Sequence, residues 1–212
     1  RGGMGAVMGA KGLKFVAVEP GRAKLRRAAK HAEFTTLCKR YGSDYLAGEQ
    51  PFAEGTAIGV TFANSIHSLP YKNRIDGQSP HASTLDGYLI HESFAERGGG
   101  MHNCLTGCIV RCSNVVHDAE GQYKTSALEF ETMALLGANC ALVHWEDVAD
   151  LDRLCDEVGL DTIETGAAIA ILMDSGGLEW GDAEGAAGLI DQIAEGTELG
   201  KAVGNGAVSI GK

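Results

Sequence analysis

At 212 residues, with 44% apolar and 22% charged side chains, the chain can bury a core as one large domain or two small ones, and its composition is that of a soluble globular protein. A formal net charge of −10 excludes a general nucleic-acid binder, which would need an excess of Lys and Arg to neutralise phosphates. No apolar run is long enough to cross a bilayer and nothing at the N-terminus reads as a signal peptide, so the cytoplasm is the expected compartment.

In chain order, residues 1–12 read as a glycine-rich loop leading into a short strand over residues 13–18, which Pro20-Gly21 ends. A helix is predicted from about residue 22 to 41. Its seven Lys/Arg accompany Leu25, Ala29, Ala32 and Leu37 at helical spacing, the pattern of a solvated helix face rather than a phosphate patch. Further helices are predicted over residues 56–65 and 84–97, the second punctuated by Gly98-Gly99-Gly100. Beyond a turn at 118–121, a helix over 126–136 meets Gly137 as its stop. Residues 146–158 form the cleanest amphipathic segment, with Val148, Leu151, Leu154, Cys155 and Val158 on one stripe. A nearly all-apolar helix over 162–173 and two more over 183–194 and 198–203 complete the chain. Strand signals are confined to the start and to Val115-Val116. The expected fold is therefore mainly α, a multihelical orthogonal bundle with a short N-terminal strand segment.

The chemistry-bearing motifs differ in specificity. Cys104, Cys108 and Cys112 stand at even spacing, and thiolates four residues apart suit a soft-metal centre such as zinc or an iron–sulfur cluster. Both centres usually take four ligands, so the array either borrows one from Cys38, Cys140 or Cys155 or belongs to something larger. The competing reading is three cysteines on successive turns of a buried segment. Three of six cysteines within nine residues suit a reducing compartment better than a disulfide framework.

Gly3-x-Gly5 precedes a strand instead of following one, the wrong order for a dinucleotide fingerprint, though backbone nests of this kind can hold phosphate. Residues 206–212 match most of a P-loop without its hydroxyl residue and read as chance. Asp156-Glu-Val-Gly-Leu-Asp161 sets carboxylates around a helix-ending glycine, where the macrodipole disfavours them, and so invites a ligand rich in N–H donors. Glu129 and Glu131 fall on different faces of one helix, so at most one points inward, where it could accept a proton. The histidines lack ligand spacing and take no role.

Taken together and in order, these segments resemble the tungsten-containing aldehyde ferredoxin oxidoreductase family. The resemblance is carried by residues 1–18 (RGGMGAVMGAKGLKFVAV), Leu69-Pro-Tyr-Lys-Asn73, the cysteine array, Leu128-Glu-Phe-Glu-Thr132 with Leu136-Gly-Ala-Asn139, and residues 154–166 (LCDEVGLDTIETG). It implies a bis-pterin tungsten (or molybdenum) enzyme with one [4Fe–4S] cluster, oxidising a small aldehyde to a carboxylate and passing electrons to ferredoxin or another redox partner. Family proteins are longer and fold as three domains. Residues 1–20 then correspond to the end of the N-terminal pterin-binding β domain, and 21–212 to the helical second domain.

Both chain ends read as cut through structure, so the sequence is expected to be a fragment of a longer parent chain. By resemblance, Arg1, Gly2 and Gly3 match the pterin-phosphate loop, while Asp156, Leu160 and Asp161 match the first pterin-binding motif. Glu131 matches the glutamate near the metal, with Glu129 as runner-up. The family's commonest cluster pattern is Cys-x-x-Cys-x-x-x-Cys. Aligning Cys104 and Cys108 with its last two cysteines puts Met101 at the first position, and Cys112 is then the replacement third ligand. Two further readings stand beside this one: a helical domain holding neither cofactor and inactive alone, and a small iron–sulfur or zinc module completed by Cys38, Cys140 or Cys155.

Overall fold

The computed structural model describes residues 3–19, 21–22 and 26–212, in two compact units, Arg1–Gln50 and Pro51–Lys212. In the first unit, helix α1 (Met4–Ala10) replaces the expected glycine-rich loop, because Met4, Ala6, Met8 and Ala10 are strong helix formers and outweigh Gly5 and Gly9. The strand predicted over 13–18 does not form. The segment has no ladder partner among the described residues, and Phe15, Val16 and Val18 stay exposed. Helix α2 (His31–Ala47) starts later than predicted. Arg26, Arg27 and Lys30 would oppose the macrodipole in a first turn, whereas the observed start places Glu33 there, paired with Lys30 at 3.2 Å.

The second unit holds the buried core. A single turn, Thr56–Ile58, leads into α3 (Gly59–Ser65), and α4 (Gly87–Arg97) is capped by buried Asp86, which accepts from the Tyr88 and Thr61 amides at 2.9 and 3.0 Å. Three short strands follow, β1 (Gly99–His102), β2 (Ser113–His117) and β3 (Tyr123–Ser126), forming an antiparallel sheet in the order β1-β2-β3. Of these only β2 carries a sequence signal. The Gly99-Gly100 start of β1 reads as a turn, yet the close approach demands it: a Cβ on Gly99 would lie 2.3 Å from the Val115 carbonyl oxygen.

Next, α5 (Phe130–Thr132) runs on through a π turn at Met133–Gly137 and a tighter turn at Ala138–Cys140. Gly137 therefore does not stop the helix. The stop falls at Ala141, which is left-handed at φ 59°. Helices α6 (Trp145–Val158), α7 (Thr162–Asp174), α8 (Ala183–Glu195) and α9 (Glu198–Gly204) fall close to prediction, and a short α10 (Ala207–Ile210) occupies the P-loop-like segment. Leu136, Leu142, Val148, Leu151, Ile169 and Ile190 are among the fully buried side chains that bind these helices together. The fold is mainly α, as expected, with the small sheet as an addition.

A tight backbone crossing in the core is at Gly166 of α7. A Cβ there would stand 2.4 Å from the Leu135 oxygen and 2.7 Å from the Leu136 Cα, both backbone atoms. Gly166→Ala is expected to destabilise the chain by about 1–3 kcal/mol, the usual cost of overpacking, read as a lower urea midpoint with unchanged slope.

Candidate functional site

All three clustered cysteines lie on the loop joining β1 to β2, which hangs from the His102–Ser113 pair. Cys104 is exposed, and Cys108 and Cys112 are half-buried. Met101, by contrast, is inside β1 opposite Asn114, with its Cε against Gly55. Among the described residues no three His, Cys, Asp or Glu side chains converge closely enough to hold a metal ion. The cysteines are neighbours nonetheless. Burial raises the Cys112 thiol above its ordinary range, and the charge of Glu129 and those of Cys104 and Cys108 add to the rise against an opposing backbone hydrogen bond. At the loop base, His102 Nδ1 is buried without a hydrogen-bond partner among the described residues.

The two glutamates face different surroundings, as their spacing requires. Glu131 is exposed in the first turn of α5. Glu129 is half-buried and accepts a hydrogen bond from the Thr56 hydroxyl, whose oxygen in turn accepts from the Phe130 amide at 3.0 Å. Thr56 lies 73 residues from Glu129, and no local pattern announces the pair.

The third element is the corner between α6 and α7. The Cys155 carbonyl accepts from both Gly159 and Leu160 amides, at 2.8 and 2.7 Å, and Gly159 takes the left-handed conformation that closes such helix ends. Asp156 is exposed in the last turn of α6, which holds no basic residue. Leu160 packs against the core, and Asp161 caps α7 by accepting from the Glu164 amide at 3.1 Å. Gly3 precedes α1 with a left-handed φ of 66°, and Arg1 and Gly2 lie outside the described residues.

Motifs far apart in the sequence meet here. The Thr132 and Thr162 hydroxyls share a buried 2.8 Å hydrogen bond, so Glu131 and Asp161 each adjoin one member of that pair. The Cys140 thiol donates to the Gly166 carbonyl at 3.3 Å. The Asn73 amide donates to the Asn139 carbonyl at 3.0 Å, and the Asn73 side chain donates to Asp174 at 3.0 Å. This contact is made from a run of three left-handed residues, Lys72, Asn73 and Arg74, a strained backbone that no single-residue propensity would suggest. Cys140 and Cys155 are buried, and burial pushes both thiols from 9.0 to about 12. Cys38 is exposed on α2.

The sequence profile described as "Aldehyde ferredoxin oxidoreductase, domains 2 & 3" matches residues 22–212. The chain belongs to this family. It is 32% identical over 179 residues to the tungsten-containing aldehyde ferredoxin oxidoreductase of Pyrococcus furiosus, covering 82% of this chain and 28% of that protein. It is 29% identical to the enzyme of the same name from Thermococcus kodakarensis, covering 98% of this chain and 36% of that one. A P. furiosus protein named aliphatic sulfonate oxidoreductase, WOR-like subunit, is 28% identical across 97% of this chain and 35% of its own length. The chain thus spans about a third of the length of these curated relatives.

The two buried thiols make a pH prediction for this chain. They stay protonated in the fold where unfolded thiols ionise, so their contribution is complete below pH 9 and is lost as pH rises towards 12. The unfolding free energy from urea titrations should fall above pH 9 by about 1 kcal/mol per thiol per pH unit, and Cys155→Ala should remove part of that slope.

Proposed function

We propose that this chain is part of a tungsten- or molybdenum-dependent bis-pterin oxidoreductase with one [4Fe–4S] cluster, which oxidises small aldehydes to carboxylic acids and passes the electrons to ferredoxin or another redox partner. The supporting observation is the Thr132–Thr162 hydrogen bond, which draws the segments of Glu131 and Asp161 together within a chain that matches the family over residues 22–212. Residues 1–20 are assigned to the end of the pterin-binding β domain and 21–212 to the helical second domain, in a cytoplasmic protein. Among the described residues, no helix is long and apolar enough to cross a membrane.

The residue types present suit the groups this reading requires, with the three thiols neighbouring one another rather than converging on one point among the described residues. Cys104, Cys108 and Cys112 are soft donors on one loop, three of the four thiolates a [4Fe–4S] cluster takes, and the unpartnered His102 Nδ1 at the loop base is a polar atom left for such a group. Met101 is committed to the strand, which favours Cys112 as the third ligand. At the α6–α7 corner, Asp156 and Asp161 present acceptors around a helix C-terminus, the complement of a pterin edge rich in N–H donors, with Leu160 fixing the turn between them. Arg1, Gly2 and Gly3 would hold a pterin phosphate through backbone amides.

When bound, the metal–pterin centre supplies the two-electron chemistry and the cluster the single-electron transfers. Glu131, exposed at the start of α5, is the base available to take a proton from water or from the hydrated aldehyde. Alone, the 212-residue chain is expected to hold neither group and to be inactive. The match to the aliphatic sulfonate oxidoreductase supports a second substrate reading, an alkanesulfonate in place of the aldehyde.

In the full-length parent enzyme, Glu131→Gln should lower turnover by roughly a hundredfold or more with the metal retained, and unchanged turnover would remove Glu131 from the mechanism. Cys112→Ser should lose cluster iron by elemental analysis and EPR, and a full cluster would refute the ligand assignment. Assays of the same parent with aldehydes and with alkanesulfonates decide the substrate.

A further inference from the structure

The cysteine loop and the α5 segment are tied together at several points, all converging on Glu129. Asn114, two residues after Cys112, makes a reciprocal pair with Leu128: its side-chain amide donates to the Leu128 carbonyl and its side-chain oxygen accepts from the Leu128 amide, each at 3.0 Å. The Ala127 amide donates to the Asn114 carbonyl at 2.8 Å. On the other side, Gly55 packs on the loop end, its Cβ position 3.4 Å from the Cys112 carbonyl oxygen and 3.8 Å from the Asn114 side chain. The next residue, Thr56, donates its hydroxyl to the Glu129 carboxylate. Both neighbours of Glu129 are thereby bonded to side chains beside the loop end: Leu128 to Asn114, and Phe130 to Thr56, which follows the Gly55 that packs on Cys112.

A routine explanation for an acid at this position is a helix cap, and the geometry argues against it. Glu129 stands at the N-cap of α5 but its side chain makes no capping hydrogen bond, and turns to Thr56 instead. The half-buried carboxylate is thus held in place by a hydroxyl, where water screens it less than at the surface. The reduction potential of an iron–sulfur cluster depends on net charge and hydrogen bonding around its thiolates.

We propose that Glu129 is a positioning charge for the cysteine loop, fixed beside Cys112 by Thr56 so that a cluster held there is harder to reduce. The two glutamates of this segment then divide the labour: Glu131 serves proton transfer on the open face, and Glu129 sets the electron energy on the loop side. The inference rests on the reading of Cys112 as a cluster ligand.

The test is an EPR-monitored redox titration of the full-length parent holoenzyme at fixed pH, with iron content measured on every sample. Glu129→Gln should keep its iron and shift the cluster midpoint upward. Glu129→Asp, which keeps the charge, should stay near the wild-type midpoint. Thr56→Val, which keeps the carboxylate but frees it, should shift upward by less than Glu129→Gln, and carries the test alone if Glu129→Gln does not fold. A wild-type midpoint in Glu129→Gln with full iron would overturn the proposal, as would loss of iron from that variant, which would make Glu129 a structural group. A parent enzyme without cluster iron, or one that keeps it in Cys112→Ser, would refute the ligand reading beneath it.

Discussion

Everything at the candidate site depends on how closely α7 approaches the π turn. Gly166 has no side chain, so the two backbones meet where any Cβ would collide with the Leu135 carbonyl. That approach brings the Cys140 thiol onto the Gly166 carbonyl and the Thr132 hydroxyl onto Thr162. Both bonds are buried, where a lost partner would leave a polar group without water and cost more than the bond itself contributes. The crossing therefore fixes the start of α5 against the start of α7, and with them Glu131 and Asp161. The π turn belongs to the same geometry, since wide turns of this kind occur where a helix must place a particular residue rather than continue regularly.

A second set of polar contacts holds the other side of the site. Asn114 and Thr56 are uncharged, yet each satisfies backbone groups on a segment remote in sequence. Their effect is to seat Leu128 and Glu129 against the end of the cysteine loop, so α5 is gripped at both ends. Neither contact involves hydrophobic area, but both would be difficult to replace. An apolar residue at position 114 would orphan the amide and the carbonyl of Leu128 together.

The helices from α6 to α9 were legible because their apolar stripes and closing glycines agree with one another. Asp161, Asp182 and Thr197 each accept from the amide that capping predicts, and Gly159 and Gly196 end their helices left-handed. The first unit was less legible. There a strand pattern over 13–18 has no partner, and a helix start was placed among cations that a first turn disfavours. β1 was missed because glycine looks like a turn, whereas its value here is to admit a carbonyl from the neighbouring strand. At the site, the cysteines, Asp156, Asp161 and the paired glutamates stood out as residue types, and family resemblance supplied the expected roles. Thr56, Asn114 and Thr132 did not stand out. Their partners lie 14 to 74 residues away, and nothing local distinguishes a threonine that will bind such a partner from one that will not.

The cysteine loop hangs from a strand pair already complete at its base, with β2 paired on its other side to β3. Its thiols contribute nothing to that ladder, and the core behind it closes through residues of other elements. The ladder and the core of this unit therefore draw no contact from the thiols of Cys104, Cys108 or Cys112, and a substitution at any of the three leaves every pairing of the sheet in place.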